Sequence, residues 1–454
     1  MSVKGVTTTM AVVLAIVTLI VGLGIGIAIS PAVMPPPAPG PDWVPKEDYD
    51  AVVAERDSWR AKYEEVAGKG LSGEVLIGFL GSMSGDLASY GENEATAAQL
   101  AVKEVNELLQ KIGAGWSLKL VIEDTETKPE VCLEKVESLN AKGIKLVIGP
   151  LSSGELSNIM SYVNSEKILT TSQSSTAPEL GFPDDYVFRF CPNDRWQGRA
   201  MARVMWEMGI RYVIPTWRGD AWGDGLEAKG KERFEELGGT FLEGVRYSVP
   251  RSDFSVEAAT LKDLVADAVA KYGADKVGVW LIAFEEATAY FKEALQYDEL
   301  RQVKWFGSDG TVNTPGLIDP SDPEVSKFVT DVNFINPIFS PLPGTWKYDK
   351  VRSHILEKLG REPDSYSYTV YDIVWAYAYS LMVVDRYDPE AIKEILPDVT
   401  KSLYGATGWV SLDENGDRAP TNYDLWKVQE VEPGVYDWVR VGRWILETDS
   451  VEWF

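Results

Sequence analysis

Hydroxyl groups crowd three loops in the first half of this 454-residue sequence, each directly after a short apolar run. Gly81-Ser82-Met83-Ser84-Gly85, leading to Tyr90-Gly91, follows Val75 to Leu80, and Gly149-Pro150-Leu151-Ser152-Ser153-Gly154 follows Leu146 to Ile148. Ser172-Gln173-Ser174-Ser175-Thr176-Ala177-Pro178 follows Ile168 to Thr171. Hydroxyls and backbone N–H groups at a helix start hold an anion without Arg or Lys, because the helix terminus already carries partial positive charge. A small carboxylate suits such a site. Taken singly, each loop reads equally well as an N-cap; three at one sheet edge favour a site. Further along the chain, Trp217-Arg218-Gly219-Asp220-Ala221-Trp222-Gly223, Ala283-Phe284-Glu285-Glu286 and Gly307-Ser308-Asp309-Gly310 again follow strand-like runs. Asp309, between small residues, is placed to receive an ammonium, with a solvated turn or N-cap as the alternative. Trp222 offers an aromatic wall, although packing is the commoner use of a loop Trp.

The elements that must position these loops alternate in type. Helical stretches at about 91–110, 129–142 and 154–165 separate the first four apolar runs. A second cycle follows Pro192-Asn193: helix 196–208, strand Tyr212 to Pro215, helix 224–237, strand Thr240 to Tyr247, helix 255–271, strand Val277 to Leu281, helix 285–297 and strand Lys304 to Gly307. Alternation of this kind predicts parallel sheets covered on both faces, and ligands of such sheets sit beyond the carboxyl ends of the strands. Two α/β lobes are expected, consistent with a length beyond what one core of roughly 250–300 residues organises.

Composition narrows the chemistry. The 44 Lys plus Arg against 69 Asp plus Glu leave a charge of −25, which repels nucleic acid. One His and two Cys do not make a zinc site or a nucleophilic triad of the usual kinds, and no cofactor or metal is expected. Hydrolysis is disfavoured because the loops offer hydroxyls and carboxylates without an evident base or nucleophile elbow.

The first 72 residues read as a separate device. Met10 to Ile29 carries no charge over 20 residues, enough helix to span a bilayer core of about 30 Å, so residues 1–30 are expected to be a transmembrane anchor or signal. Lys4-Gly5-Val6-Thr7 resembles the cleavage site of archaeal pilin-type signal peptides, with an uncut anchor as the alternative. Residues 31–45 hold seven Pro and predict an extended linker. Residues 46–72 are expected to form a helical stalk: Tyr49, Val52, Arg56, Trp59, Tyr63 and Val66 recur at spacings of three and four, as self-association or packing on the body requires.

The words G-S-M-S-G with Y-G-E-N-E at 81–94, V-I-G-P-L-S-S at 147–153, S-S-T-A-P-E-L at 174–180, W-G-D-G-L at 222–226, G-S-D-G at 307–310 and T-G-W-V-S-L-D-E-N-G-D at 407–417 occur in one order. In that order the chain from Gly73 to Val428 resembles the periplasmic leucine/isoleucine/valine-binding proteins, substrate-binding components of branched-chain amino-acid ABC transporters. The resemblance implies a type I periplasmic-binding-protein fold with three crossovers: lobe 1 from 73–192 and 336–418, lobe 2 from 193–335 and 419–454. It also implies closure on the ligand by hinge motion. By position, it implies that Ser153 and Thr176 hold a ligand carboxylate, that the Ser174 carbonyl and Thr176 face the ammonium, and that Asp309, where the family often has Glu, pairs with it. Trp222 falls where a Tyr commonly covers the ligand, Tyr90 borders the side-chain pocket and Phe284 lies beside it. The family's sheet order separates Cys132 from Cys191, so no disulfide joins them.

The resulting expectation is a non-enzymatic, membrane-anchored extracytoplasmic receptor that delivers an apolar amino acid to an ABC permease. An amide- or urea-type solute binder on the same fold, or a structural or sensory cell-surface protein, are the alternatives.

Overall fold

The computed structural model describes residues 70–454. The expected anchor, the Pro-rich linker and residues 46–69 of the expected stalk lie outside the described residues. No helix among the described residues is long and apolar enough to cross a membrane.

In the first lobe strands and helices alternate: β1 (Gly73–Gly81), α1 (Ala88–Lys111), β2 (Trp116–Asp124), α2 (Pro129–Ala141), β3 (Leu146–Ile148), α3 (Ser153–Ser165), β4 (Leu169–Ser172) and β5 (Val187–Arg189). The strands form one sheet of order β2-β1-β3-β4-β5, parallel throughout. Val-, Ile- and Leu-rich β1 and β3 are buried almost without interruption, as central strands covered on both faces must be.

The chain then enters the second lobe through α4 (Asp194–Glu207), β6 (Tyr212–Arg218), α5 (Ala221–Glu236), β7 (Thr240–Phe241), β8 (Val245–Tyr247), α6 (Ser255–Tyr272), β9 (Val277–Ile282), α7 (Ala287–Ala294), β10 (Lys304–Phe306), α8 (Pro323–Asp331) and β11 (Ile335–Phe339). It returns to the first lobe for α9 (Trp346–Leu359), α10 (Ser365–Val384), α11 (Pro389–Lys401), β12 (Tyr404–Gly405) and β13 (Gly408–Trp409). The last segment, β14 (Tyr423–Glu432), β15 (Val435–Ile445) and β16 (Ser450–Trp453), adds an antiparallel meander to the second sheet, whose order is β16-β15-β14-β11-β10-β9-β6-β7 with β8 also on β6.

Two expectations are corrected. β11 pairs with β10 at Ile335 and with β14 along its whole length, so the chain stays in the second lobe through Phe339 and crosses after it, not at 335/336. The expected single strand from Thr240 to Tyr247 is two. β7 pairs Tyr212 and Val213, β8 pairs Thr216 to Arg218, and the gap falls opposite Pro215, which has no N–H for the ladder. A Cβ on Gly244 would stand 2.2 Å from the Pro215 carbonyl oxygen, so the chain passes that point too closely for any side chain.

α10 is apolar around its circumference, with 16 of its 20 residues buried, including Tyr371, Tyr377 and Leu381. It packs between the first sheet and α1 rather than on the surface, and the Tyr377 hydroxyl donates to the Val147 carbonyl at 2.9 Å, tying it to β3. The two cysteines are free and buried in different clusters, Cys132 on α2 and Cys191 at the first crossover.

Candidate functional site

The strand ends of both lobes face one narrow cavity of about 20 Å³, which leaves room for little more than a water molecule with the lobes in this arrangement. Leu87, Tyr90, Leu151, Ser152, Ser153, Ser174 and Tyr366 line it from the first lobe, and Trp222, Phe284, Asp309 and Gly310 from the second.

One end is built to meet an anion. Ser152 caps α3 in a reciprocal box with Glu155, its N–H donating to Glu155 Oε2 at 3.0 Å while its Oγ accepts from the Glu155 N–H at 3.2 Å. Ser153 is therefore the first helical residue, where backbone N–H groups have no partner within the helix. Its Oγ accepts from the N–H groups of Thr176 and Ala177, both at 3.1 Å, and from the Ser175 hydroxyl at 3.0 Å. With its acceptor capacity filled, Ser153 has only its proton left to offer.

The opposite end is negative. Asp309 is buried in the turn after β10, where its carboxylate accepts from the Gly310 N–H at 3.0 Å and from the Tyr366 hydroxyl. These donors are neutral, and burial pushes Asp309 up to about 6. A cation placed there would relieve the cost of desolvating the carboxylate.

The walls are apolar. Trp222 stacks on Phe284 with ring centroids 4.5 Å apart, and the Arg218 guanidinium lies 3.8 Å above the Phe284 ring. Arg218 is held by Glu286 at 2.7 Å and Asp220 at 2.6 Å, so it stiffens the wall without presenting a free charge. The Tyr90 hydroxyl donates to the Asp309 carbonyl at 2.7 Å and thereby joins the lobes through the floor of the cavity.

Six of the expected residues, Tyr90, Ser153, Ser174, Trp222, Phe284 and Asp309, line this one cavity. Thr176 does not: its hydroxyl donates to Asp194 Oδ2 at 2.8 Å and its N–H to Ser153 Oγ, so it supports Ser153 from behind. The Ser174 hydroxyl likewise turns to the Leu151 carbonyl at 2.8 Å. Tyr366 and Asp194 were missed. Tyr366 projects from the first turn of a helix, away from the strand ends that mark the other candidate residues. Asp194 begins α4 at the crossover, directly after the Pro192-Asn193 pair that marks the start of the second cycle.

A family model described as periplasmic binding protein matches residues 74–432, most of the chain. The chain belongs to that family. Among relatives of this periplasmic binding protein, an uncharacterised protein of Methanocaldococcus jannaschii is 32% identical over 397 residues, covering 84% of this chain and 91% of its own. The Leu/Ile/Val-binding protein homolog 1 of Brucella abortus is 25% identical, covering 81% and 94%. The branched-chain amino-acid transporter substrate-binding protein LivJ of Streptococcus pneumoniae, solved with isoleucine, superimposes with a TM-score of 0.63 at 20% identity over 81% of this chain and 99% of its own. The two-lobed arrangement of this periplasmic binding protein is thus the type I fold.

Proposed function

We propose that the protein is the extracytoplasmic receptor of an ABC importer and that it binds a free α-amino acid with an apolar side chain. One observation carries the reading: a hydroxyl-bearing helix terminus and a buried, uncompensated carboxylate face each other in one small apolar-walled cavity. The ligand carboxylate sits at Ser153 and the α3 N-terminus, its ammonium at Asp309 and the Ser174 carbonyl, and its side chain against Leu87, Leu151, Trp222 and Phe284. The protein binds and releases without catalysis. The apolar run Met10 to Ile29 holds it at the membrane, the Pro-rich segment spaces it outward, and an ABC permease receives the ligand. The Brucella and Streptococcus relatives support the ligand class.

Calorimetric titration of the purified protein with each of the twenty amino acids tests this, and no heat with any of them would sink it. Within the panel, aliphatic side chains should bind and charged ones should not, since the walls have no free counter-charge. Ser153→Ala should weaken the bound amino acid about tenfold or more, the ~1.5–3 kcal/mol of a hydrogen bond to a charged group. A change under twofold would remove Ser153 from the carboxylate position.

Closure has its own latch. Across the cleft lip the Ser89 N–H and hydroxyl donate to Glu285 Oε1 at 2.9 and 2.6 Å, and the Glu285 N–H donates to the Asp86 carbonyl at 3.0 Å. Glu285→Ala removes two charge-assisted bonds made between lobes, which should shift the closed–open balance by ~2 kcal/mol, about 30-fold. Small-angle scattering of the ligand-free variant should show a larger radius of gyration than the unaltered protein, and a saturating amino acid should reverse the difference.

A further inference from the structure

A second carboxylate is buried behind the candidate ammonium position. Asp194 accepts at Oδ1 from Gln197 Nε2 at 2.7 Å and at Oδ2 from the Thr176 hydroxyl at 2.8 Å. Gln197 turns its other face to the cavity floor, its Oε1 accepting the Asp309 N–H at 2.9 Å. One buried glutamine therefore ties the Asp194 carboxylate to the backbone of Asp309, and both carboxylates are buried, one beside the ligand cavity and one behind it.

Among the described residues, the surroundings supply no free counter-charge. From β5, Arg189 faces Asp194 but is committed to Asp417, with Nε to Oδ1 at 2.6 Å. Arg418, beyond Cys191, donates to the Thr407 hydroxyl at 2.7 Å and faces Asp372. The other titratable groups that face the pair are the Cys191 thiol and the phenols of Tyr90, Tyr366 and Tyr423. Burial holds each of them well above its ordinary value, so all four are neutral. Glu94, Glu285 and Asp364 stand beyond Tyr90; burial raises all three, and as carboxyls they supply no positive charge. Two carboxylates buried together with no cation between them do not both stay ionised; a proton neutralises one.

We propose that Asp194 and Asp309 share one proton in the ligand-free cleft and that an ammonium ligand arriving at Asp309 expels it to solvent. Ligand uptake is then an exchange of one positive charge for another. Asp194 is a positioning residue that acts on the ligand through Gln197 and Asp309. The directions agree: Asp194 is raised by burial and then by the charge of Asp309, which is itself held at about 6. The exchange rests on the amino-acid reading, whereas the shared proton does not.

The full-length protein is titrated with L-isoleucine and L-alanine near pH 7 in phosphate and in Tris, whose ionisation enthalpies differ widely. The difference in heat should correspond to release of about one proton per ligand. Asp194→Asn should abolish most of that release and should extend tight binding to lower pH, an effect that a purely structural role for Asp194 would not produce. Separately, potentiometric titration of the ligand-free proteins should show the unaltered chain holding about one more proton than Asp194→Asn above pH 5. Equal heats in both buffers with the ligand clearly bound, or no difference in bound protons between the two proteins above pH 5, would overturn the proposal. If neither amino acid binds, the amino-acid reading and the exchange both fall, and the difference curve still decides whether the pair holds the proton. Should Asp194→Asn fail to fold, the two-buffer comparison on the unaltered protein decides alone.

Discussion

Asp309→Asn should cost at least 30-fold in amino-acid affinity and, at the same time, make the ligand-free protein more stable. The two effects share one cause. In the closed cavity the carboxylate is held by neutral donors, so a bound ammonium would be its counter-charge, and removing one partner of a buried, hydrogen-bonded charge pair costs ~2–5 kcal/mol. Without ligand the same charge is a liability. Its value is raised from 3.8 to about 6. The folded state therefore binds that proton more tightly than the unfolded chain does. Stability is highest below the unfolded value and falls as pH rises from about 4 through 6, by up to ~3 kcal/mol for a shift of two units. Asn carries no charge in either state and abolishes that loss. Melting curves of the ligand-free proteins between pH 4.5 and 7.5 check this: the unaltered protein should lose more stability across the range than Asp309→Asn. Affinity measured over the same range should rise with pH for the unaltered protein, because an ionised Asp309 is what the ammonium needs. A neutral amide ligand would behave oppositely, binding the variant about as well as the unaltered chain.

Asp309 was legible in the sequence for a physical reason. In a parallel sheet the residues directly after a strand emerge at one edge, so locating the apolar runs also located Ser153, Ser174, Trp222 and Asp309. What the sequence did not yield depends on contacts between distant segments. The hydroxyl of Thr176 is drawn away from the cavity by Asp194, 18 residues on, and that partnership exists because the first crossover doubles back past the β4 loop. Tyr366 reaches Asp309 across 57 residues from the start of α10, a helix buried on all sides whose apolar periodicity carries no mark of which end meets the cleft. The split between β7 and β8 turned on a proline in the neighbouring strand. Patterning specifies elements and the edge at which they end; the direction in which a side chain finally points is a tertiary property.

Arg189→Met carries the other large effect, and the partner substitution shows why. Arg189, at the end of β5, gives Nε to Asp417 Oδ1 at 2.6 Å and Nη2 to Asp417 Oδ2 at 2.5 Å, a bidentate pair with side chains 1% and 3% exposed. Its remaining nitrogen donates to the carbonyls of Ala177 at 2.6 Å and Ser175 at 3.3 Å. The same guanidinium thus fastens the segment before the third crossover and the loop whose N–H groups hold Ser153. Replacing Arg189 alone leaves Asp417 ionised and buried, at a cost of ~3–5 kcal/mol. Adding Asp417→Leu removes the stranded charge and should recover most of the stability in chemical unfolding, since an apolar pair can replace a buried ion pair at little net cost. Affinity should not recover with it. Neither Met nor Leu can hold the carbonyls of Ser175 and Ala177, so the loop loses its anchor and the Thr176 and Ala177 N–H groups drift from Ser153. Stability restored with binding still weakened at least tenfold would separate the two roles of this arginine. Full recovery of affinity in the double variant would mean that the loop is held by its own hydrogen bonds and that Arg189 serves stability alone.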